Sequence, residues 1–448
     1  MIPRSPDDVS PDLAAPPIVL RDAGDVRATS GADETGFGAN PRATSVDRST
    51  SADALRIGGD AEAGTILTLI DYYLPGYKGG GPIRTLANIV QHLGGELRFR
   101  IVTRDRDLGD AEPYAEGARR EVGGAEVVYL APGEMRRGIA RLLRTPGHDA
   151  LYLNSLFSAT FTLWPLWLRL VGKIHRVPVI VAPRGELSPG ALAFKSTKKR
   201  AFLIAARRLG LYRGVVWQAS SPVEAEEVRR WFGPAATVVV APDLPPPASA
   251  APPPRTKRAG ELRLAFVSRI DRKKNLDGAI RLLRDVPGSV VLDVYGPEED
   301  AAYAAECRAL AKESNADVRF HGPVPPERVA EVLREADAFF FPTHGENFGH
   351  VVLEALLAGC VPLLSDRTPW RGLEAKGIGW DLPLDRPEAF RAALAELVAM
   401  DGAGLAARSE RAWRHAAAFA GDAEVVARTR GLFASVLAGA GRGGGKAS

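Results

Sequence analysis

The stretch FFFPTHGENFGHVVLEALLAGCVPLLSD, residues 339–366, is where the reading of this chain begins. An apolar run rich in phenylalanine, a glycine-containing turn, a helical pattern and a second apolar run read as strand, loop, helix and strand, one unit of a parallel sheet. The helix expected to start near Phe348 offers its free N–H groups and positive dipole end, reached through Gly345 and Gly349, as a site for a diphosphate. Glu346 stands just before that helix and Glu354 within it. Were both helical, about 12 Å would separate them at 1.5 Å per residue; a glycosidase acid/base pair needs carboxyls roughly 5–9.5 Å apart. An ionised carboxylate can accept the paired hydroxyl hydrogens of a ribose. The same two acids also suit a helix start favoured by its dipole with a second glutamate on the surface, so alone they leave both readings open.

Working outward, the same half of the chain contains LAFVSRIDRKKNLDGAI, in which Arg269 follows a strand and Lys274 comes at a helix start. Loops after parallel strands lie at the carboxyl edge of the sheet, where open α/β folds bind ligands. Arg269 can fork onto phosphate oxygens and Lys274 can supply a point charge, although a basic run is equally what a solvated turn carries. In the first half, LIDYYLPGYKGGGPIRTLANIVQHL joins a strand to a helix through Gly79, Gly80 and Gly81, with Pro82 at the helix start. Three glycines admit a ligand close to the backbone, or simply a flexible turn; this is neither a Walker loop nor a GxGxxG fingerprint.

Strand and helix patterns alternate in two series, separated by APDLPPPASAAPPPRTKRAG with seven prolines in twenty residues. The expected organisation is a disordered tail over 1–63, poor in aromatics, then a Rossmann-like domain over 64–240 and a Pro-rich linker over 241–260. A second Rossmann-like domain over 261–420, a C-terminal helix over 421–437 and a flexible tail over 438–448 follow. The fold class is α/β, with two doubly wound parallel-sheet halves.

At 448 residues, 46% hydrophobic and 25% charged, the composition is that of a soluble globular chain. The 58 basic residues nearly balance the 54 acidic ones, so charge alone does not imply a nucleic-acid partner. Two cysteines, Cys307 and Cys360, form neither a disulfide framework nor a zinc motif. The N-terminus lacks signal-peptide order and no run of 18 apolar residues occurs, so a cytoplasmic location is expected.

The elements above, in this order, resemble glycosyltransferase family 4 (group 1), retaining enzymes of the GT-B fold, from about Ile66 to Leu437. Further motifs that carry the resemblance are VAPRGELSPGALAFKSTKKR, SPVEAEEV, DVYGPEED, HGPV and SDRTPW. The resemblance implies two domains facing an interdomain cleft, with a C-terminal helix crossing back to the first domain. It implies that Arg269 and Lys274 hold the donor diphosphate, Glu354 the ribose and Glu346 the sugar. Gly80 and Gly81 would close from the other domain, and Gly296, Asn347, Phe348, Gly349 and His350 complete the donor side. Base recognition would fall to backbone groups of Gly322 and Val324, since Pro323 has no N–H. Many relatives carry a histidine where this chain has LYLNSLFSAT, so Lys78, Asn154, Ser155, Arg184 and Glu186 are the acceptor-side candidates; for Arg184 and Glu186 an internal salt bridge is the alternative. The implied activity is retaining transfer of a hexose from a nucleoside-diphosphate sugar to a glycan or lipid-linked glycan in cell-surface polysaccharide biosynthesis. No cofactor or metal is expected. A sugar-nucleotide epimerase, a phosphorylase, or a catalytically silent sugar-nucleotide-binding partner are the competing readings.

Asp105 and Asp107 have an Asp-x-Asp spacing but fall in the first half, away from the diphosphate site. In KSTKKRAFLIAARRLGLYRG, Lys195, Lys198, Lys199, Arg200, Arg207, Arg208 and Arg213 stand without an acid. Such a segment suits peripheral contact with an anionic membrane, or a solvated face with Leu203, Ile204 and Leu211 turned to the core.

Overall fold

A computed structural model describes residues 63–114, 119–193, 196–246, 250–253 and 255–443. All but the last residue of the expected 1–63 tail lies outside the described residues, as do Lys195 and 444–448. The first domain contains β1 (Thr65–Leu69), α1 (Gly81–Leu93), β2 (Arg98–Arg104), β3 (Arg119–Val122), β4 (Ala125–Leu130), α2 (Met135–Arg144) and β5 (Ala150–Leu153). It continues through α3 (Trp164–Leu170), β6 (Val179–Val181), α4 (Pro189–Ala193), α5 (Ser196–Arg208), β7 (Val216–Ala219), α6 (Pro222–Phe232) and β8 (Thr237–Val240). The second domain holds β9 (Glu261–Val267), α7 (Leu276–Leu282), β10 (Ser289–Tyr295), α8 (Ala301–Lys312), β11 (Asp317–Gly322), α9 (Pro326–Glu335) and β12 (Ala338–Phe341). After it come α10 (His350–Leu357), β13 (Val361–Ser365), β14 (Trp380–Leu382), α11 (Pro387–Ala399), α12 (Gly402–Ala420) and α13 (Ala423–Gly443).

The strands form two sheets, ordered β3-β4-β2-β1-β5-β6-β7-β8 and β11-β10-β9-β12-β13-β14. Every pairing between them is parallel except β3 with β4. Central strands such as β5, β12 and β13 are buried along their whole length, as helices on both faces require. In each sheet the order reverses beside the first strand, β1 and β9, so the loops that follow these strands open at the switch points where ligands bind. The two Rossmann-like halves face one another across a cleft, the GT-B architecture.

Alternation along the first sheet sorts its two faces. Ile66, Phe99, Ile101, Tyr152 and Ile180 pack toward the layer that holds α1 and α13. Leu67, Val102, Leu151, Leu153, Val179 and Val181 pack under α2, α3, α5 and α6. Helix α10 is apolar on most of its circumference because the second sheet covers one side and α12 another.

The Pro-rich connection is tightly held at its start: Asn88 Nδ2 donates to Leu244 O at 2.7 Å, and Leu244 is fully buried. Farther on, Arg255 donates to the carbonyls of Leu333 and Ala358 at 3.1 and 3.0 Å. Helix α13 lies against α1 and β5 of the first domain. Its Phe433 meets Phe99 and Tyr152 edge-on at 5.8 and 5.4 Å, and Arg430 pairs with Glu96 at 2.7 Å. This helix continues to Gly443 rather than ending at 437. Phe433→Ala should cost about 3–5 kcal/mol of stability, the usual range for a fully buried phenylalanine; a lower denaturation midpoint measured in urea checks this.

Candidate active site

The cleft between the domains has a volume of about 300 Å³ and takes its walls from both. The second domain supplies Arg269 and Lys274 from the segment after β9, Gly296 after β10, Val324, and Glu346 through Val351 with Glu354 around the mouth of α10. The first domain supplies Lys78 and the glycines 79–81, Arg84 and Thr85 on α1, and Arg184. The glycine turn lies directly against the opposite half. A Cβ at Gly80 would stand 3.9 Å from Arg269 Nε, and one at Gly81 would stand 3.7 Å from His350 Cδ2.

Lys274 follows Asp271, whose carboxylate accepts the Lys274 N–H at 3.1 Å and caps a short turn. That turn aims the ammonium inward, where it pairs with Glu346 at very short range. Both side chains are largely shielded, at 11% and 12% exposure, so the pair neutralises two charges in a poorly hydrated pocket. Arg269 is more open and pairs with Glu299 at 2.7 Å. Gly349, with φ of 77°, bends the chain into α10, and Trp370 Nε1 anchors the Phe348 carbonyl at 2.7 Å. Gly296 has φ of 150°, and a Cβ there would fall 1.8 Å from Ser268 O, so only glycine lets the β9 and β10 ends approach this closely.

A chain of polar groups crosses the floor of the cleft. Asn154 Oδ1 accepts from Arg184 Nη2 at 2.7 Å, and Arg184 Nη1 meets Asp243 Oδ1 at 2.5 Å. Asp243 Oδ2 lies 3.8 Å from His350 Nε2, which is 2.7 Å from Thr85 Oγ1. Burial holds His350 down to about 4, with Asp243 opposing, so its imidazole is neutral near pH 7. Two more contacts tie the domains: Arg84 pairs with Glu354 at 3.2 Å, and Asn347 Nδ2 donates to Ser220 Oγ at 3.0 Å. Burial pushes the Glu354 carboxyl up, and Arg84 pulls it back. Beneath Ser220, the buried Glu224 carboxylate accepts from the Ser220 and Gly185 N–H groups at 2.7 and 2.5 Å, fixing both residues against Asn347.

Several expectations change. Gly322 is not among the residues that line the cleft, and its carbonyl accepts from the Gly296 N–H at 2.8 Å; Val324 does line it. Ser155 and Glu186 do not reach it either. The Glu186 carboxylate is turned into the first domain, where it accepts from Ser155 Oγ at 3.0 Å and from the Leu156 and Phe157 N–H groups at 2.5 and 3.1 Å. Asn154 stands behind Arg184 rather than in the wall. For Arg184 the internal salt bridge does form, to Asp243 at 2.5 Å, whereas Glu186 is held by hydrogen bonds from Ser155, Leu156 and Phe157. Lys78 lines the cleft with its ammonium held by Asp110 at 2.5 Å. Asp107 accepts the N–H groups of Tyr77 and Lys78 and so shapes the glycine turn. No group of three His, Cys, Asp or Glu side chains arranged for a metal occurs among the described residues. Residues missed by sequence reasoning are Arg84, Thr85 and Asp243; an acid within a run of prolines was the one signal that could have singled out Asp243.

Residues 250–416 match the family pattern "Glycosyl transferases group 1", and residues 80–243 match "Glycosyl transferase 4-like domain". The chain belongs to the group 1 glycosyltransferases of the family 4 type. A D-inositol 3-phosphate glycosyltransferase of Mycobacteroides abscessus is 34% identical over 167 residues, 36% of this chain and 37% of the relative. A phosphatidyl-myo-inositol mannosyltransferase of Mycobacterium tuberculosis is 37% identical over 95 residues, 21% of this chain and 25% of the relative. The match thus spans between a quarter and about a third of these relatives' own length. Among solved structures, a sucrose-phosphate synthase from Thermosynechococcus elongatus superposes with a TM-score of 0.65 at 16% identity, covering 84% of this chain and all of that one. Anabaena HepE in complex with UDP-glucose gives 0.58 at 16% identity, covering 83% and 99%. At such identity these two share the fold.

The neutral His350 has a pH consequence. Its folded affinity for protons is below the unfolded value near 6.5, so the unfolded chain binds the extra proton between about pH 6.5 and 4. Its contribution is complete above 6.5 and is lost as pH falls through that window. His350→Gln should therefore show a smaller drop in Tm between pH 7 and pH 4.5 than the parent chain, as thermal melts at the two pH values will register.

Proposed function

We propose that this chain transfers a hexose from a nucleoside-diphosphate sugar to a hydroxyl of a glycan or lipid-linked glycan, with retention of configuration, in cell-surface polysaccharide biosynthesis. The observation that carries the reading is the convergence of Arg269, Lys274 and Glu346 on the mouth of α10, opposite the glycine turn of the other domain. Cations beside a helix N-terminus favour a diphosphate that gains charge as it leaves. In the resting site Lys274 is paired with Glu346. In the proposed reaction the incoming diphosphate takes over Lys274 and Arg269, which frees Glu346 for the hydroxyls of the sugar. Glu354 would likewise exchange Arg84 for the ribose. Gly80 and Gly81 let the backbone of the first domain approach the phosphates, and Gly296, Val324 and the Asn347–His350 segment enclose the nucleotide.

The acceptor hydroxyl would enter past Lys78 and Arg184, the two acceptor-side candidates in the cleft wall. The leaving phosphate itself takes the acceptor proton in a front-face displacement, so the protein's part is positioning and charge stabilisation. Glu346 is not the nucleophile in this scheme, and no metal or cofactor takes part. The proposed place of action is the cytoplasm, at the inner face of the membrane when the acceptor is lipid-linked.

Lys274→Ala should lower turnover roughly 10²- to 10³-fold, the scale for loss of one preorganised charge-stabilising donor. A radiolabelled nucleotide-sugar transfer assay measures this, and near-parental turnover would remove Lys274 from the mechanism. Incubation with donor alone separates the competing enzymes: an epimer, or a free sugar phosphate, formed without acceptor would point to an epimerase or a phosphorylase. Nucleotide binding by calorimetry with neither hydrolysis nor transfer would mark a silent binding partner.

A further inference from the structure

The large hydrophobic side chains left exposed are not scattered over the surface. Trp167, Leu170 and Val171 at the end of α3 are 46, 50 and 43% exposed, and Ile204 and Leu209 on and just after α5 are 50 and 71% exposed. These five are the exposed large hydrophobics among the described residues, and all lie in the helix layer over one face of the first sheet. Leu203 and Ala206 turn into that layer, so Ile204, one residue on from Leu203, points outward. Leu203 thus occupies the core as a solvated face would require, whereas Ile204 does not. The two groups adjoin: Arg169 on α3 donates to the carbonyls of Arg213 and Gly214, just beyond Leu209, at 2.7 and 3.4 Å.

Along the span that carries α3 and α5 the charge is almost all of one sign, while on α6 Glu226 pairs with Arg229 at 2.6 Å and Glu227 lies within the field of Arg230. Between Phe161 and Gly214 the only carboxylate is Glu186, which is turned inward. Lys173, Arg176, Lys198, Lys199, Arg207 and Arg208 belong to the same span. Between α5 and α6 lies a second cavity, open to solvent, bounded by Leu203, Ile204 and Trp231 on its apolar side and by Arg207, Arg208 and Arg230 on its cationic side. Arg207 is braced there by the Trp231 carbonyl at 3.2 Å. An apolar floor with a guanidinium rim suits a group that is anionic at one end and hydrocarbon at the other.

We infer that the outer face of α3 and α5 docks on an anionic phospholipid bilayer, with the α5–α6 cavity receiving a lipid phosphate and the adjoining acyl region. Charge complementarity selects this occupant over a protein partner: the cations surround side chains that would insert at headgroup depth. The inference deepens the proposed transfer to a lipid-linked acceptor, but it stands on residues outside the cleft. Only a short segment joins Arg184 in the cleft wall to α5, so docking would bring the acceptor side toward the bilayer.

The test is flotation of the full chain with phosphatidylcholine vesicles, with and without phosphatidylglycerol, without any donor or acceptor, so that its result does not depend on the transferase reading. Recovery with the anionic vesicles alone is expected, falling about fivefold for each of Arg207, Arg208 and Arg230 changed to Gln. Leu209→Glu or Ile204→Glu should reduce recovery at least about tenfold with an unchanged melting temperature, both side chains being half exposed or more. Should a glutamate variant melt early, Leu209→Cys carrying a polarity-sensitive dye replaces it, since both native cysteines are buried; a blue shift on anionic vesicles supports docking and an unmoved spectrum overturns it. Equal recovery on pure phosphatidylcholine, or recovery unaffected by the glutamates, would overturn the inference. Displacement from vesicles by millimolar inorganic phosphate would reassign the arginine cavity to a free phosphate.

Discussion

Opposite charges in a space with little water must either pair or be paid for in solvation, and the cleft of this protein is arranged around that constraint. Lys274 and Glu346, Arg84 and Glu354, and Arg184 and Asp243 each satisfy the other, while Arg269 pairs with Glu299 at the more open rim. Breaking a shielded pair by deleting one partner leaves an uncompensated charge, whereas exchanging a partner for another of the same sign does not. A ligand with both anionic oxygens and hydroxyls would meet Lys274 and Arg269 with its oxygens and donate hydroxyl hydrogens to Glu346 and Glu354, so each group would exchange an ion-pair partner for a new partner or hydrogen bond.

The sheets, helices and glycine turns could be read from the sequence because each depends on local chemistry. Apolar runs such as FRIVT and AFFF alternate with helical patterns, and Pro82 and Gly349 mark helix starts at or beside where they occur. That Arg269, Lys274, Glu346 and Glu354 face one cleft was readable for the same reason, since all belong to short segments attached to one sheet. What escaped reading depends on the placement of one domain against the other. Arg84 on α1 has no local pattern and Asp243 only its place in a run of prolines; they matter because the domains bring them beside Glu354 and His350. Glu186 shows the converse. It stands in a motif-like PRGEL, yet the bend at Arg184, with φ of 55°, sends the two side chains to different environments.

Backbone competition explains the remaining displaced candidate. Gly322 was expected to present its backbone to a base, but a parallel β10–β11 pairing that carries an irregularity near Tyr295 already uses its carbonyl. Sequence patterns reveal which side chains are available, and they are blind to which carbonyls a sheet has consumed.

The last helix has a consequence for how the molecule is made. Phe433 fills a position between Phe99 and Tyr152 in the core of the first domain, yet it is synthesised after the whole of the second. On the ribosome the first sheet therefore emerges with an aromatic gap on the face shared with α1, and that gap closes only when α13 arrives. The first half of the chain stays partly unsealed until α13 has been made, so this helix ties completion of the first core to synthesis of the second domain.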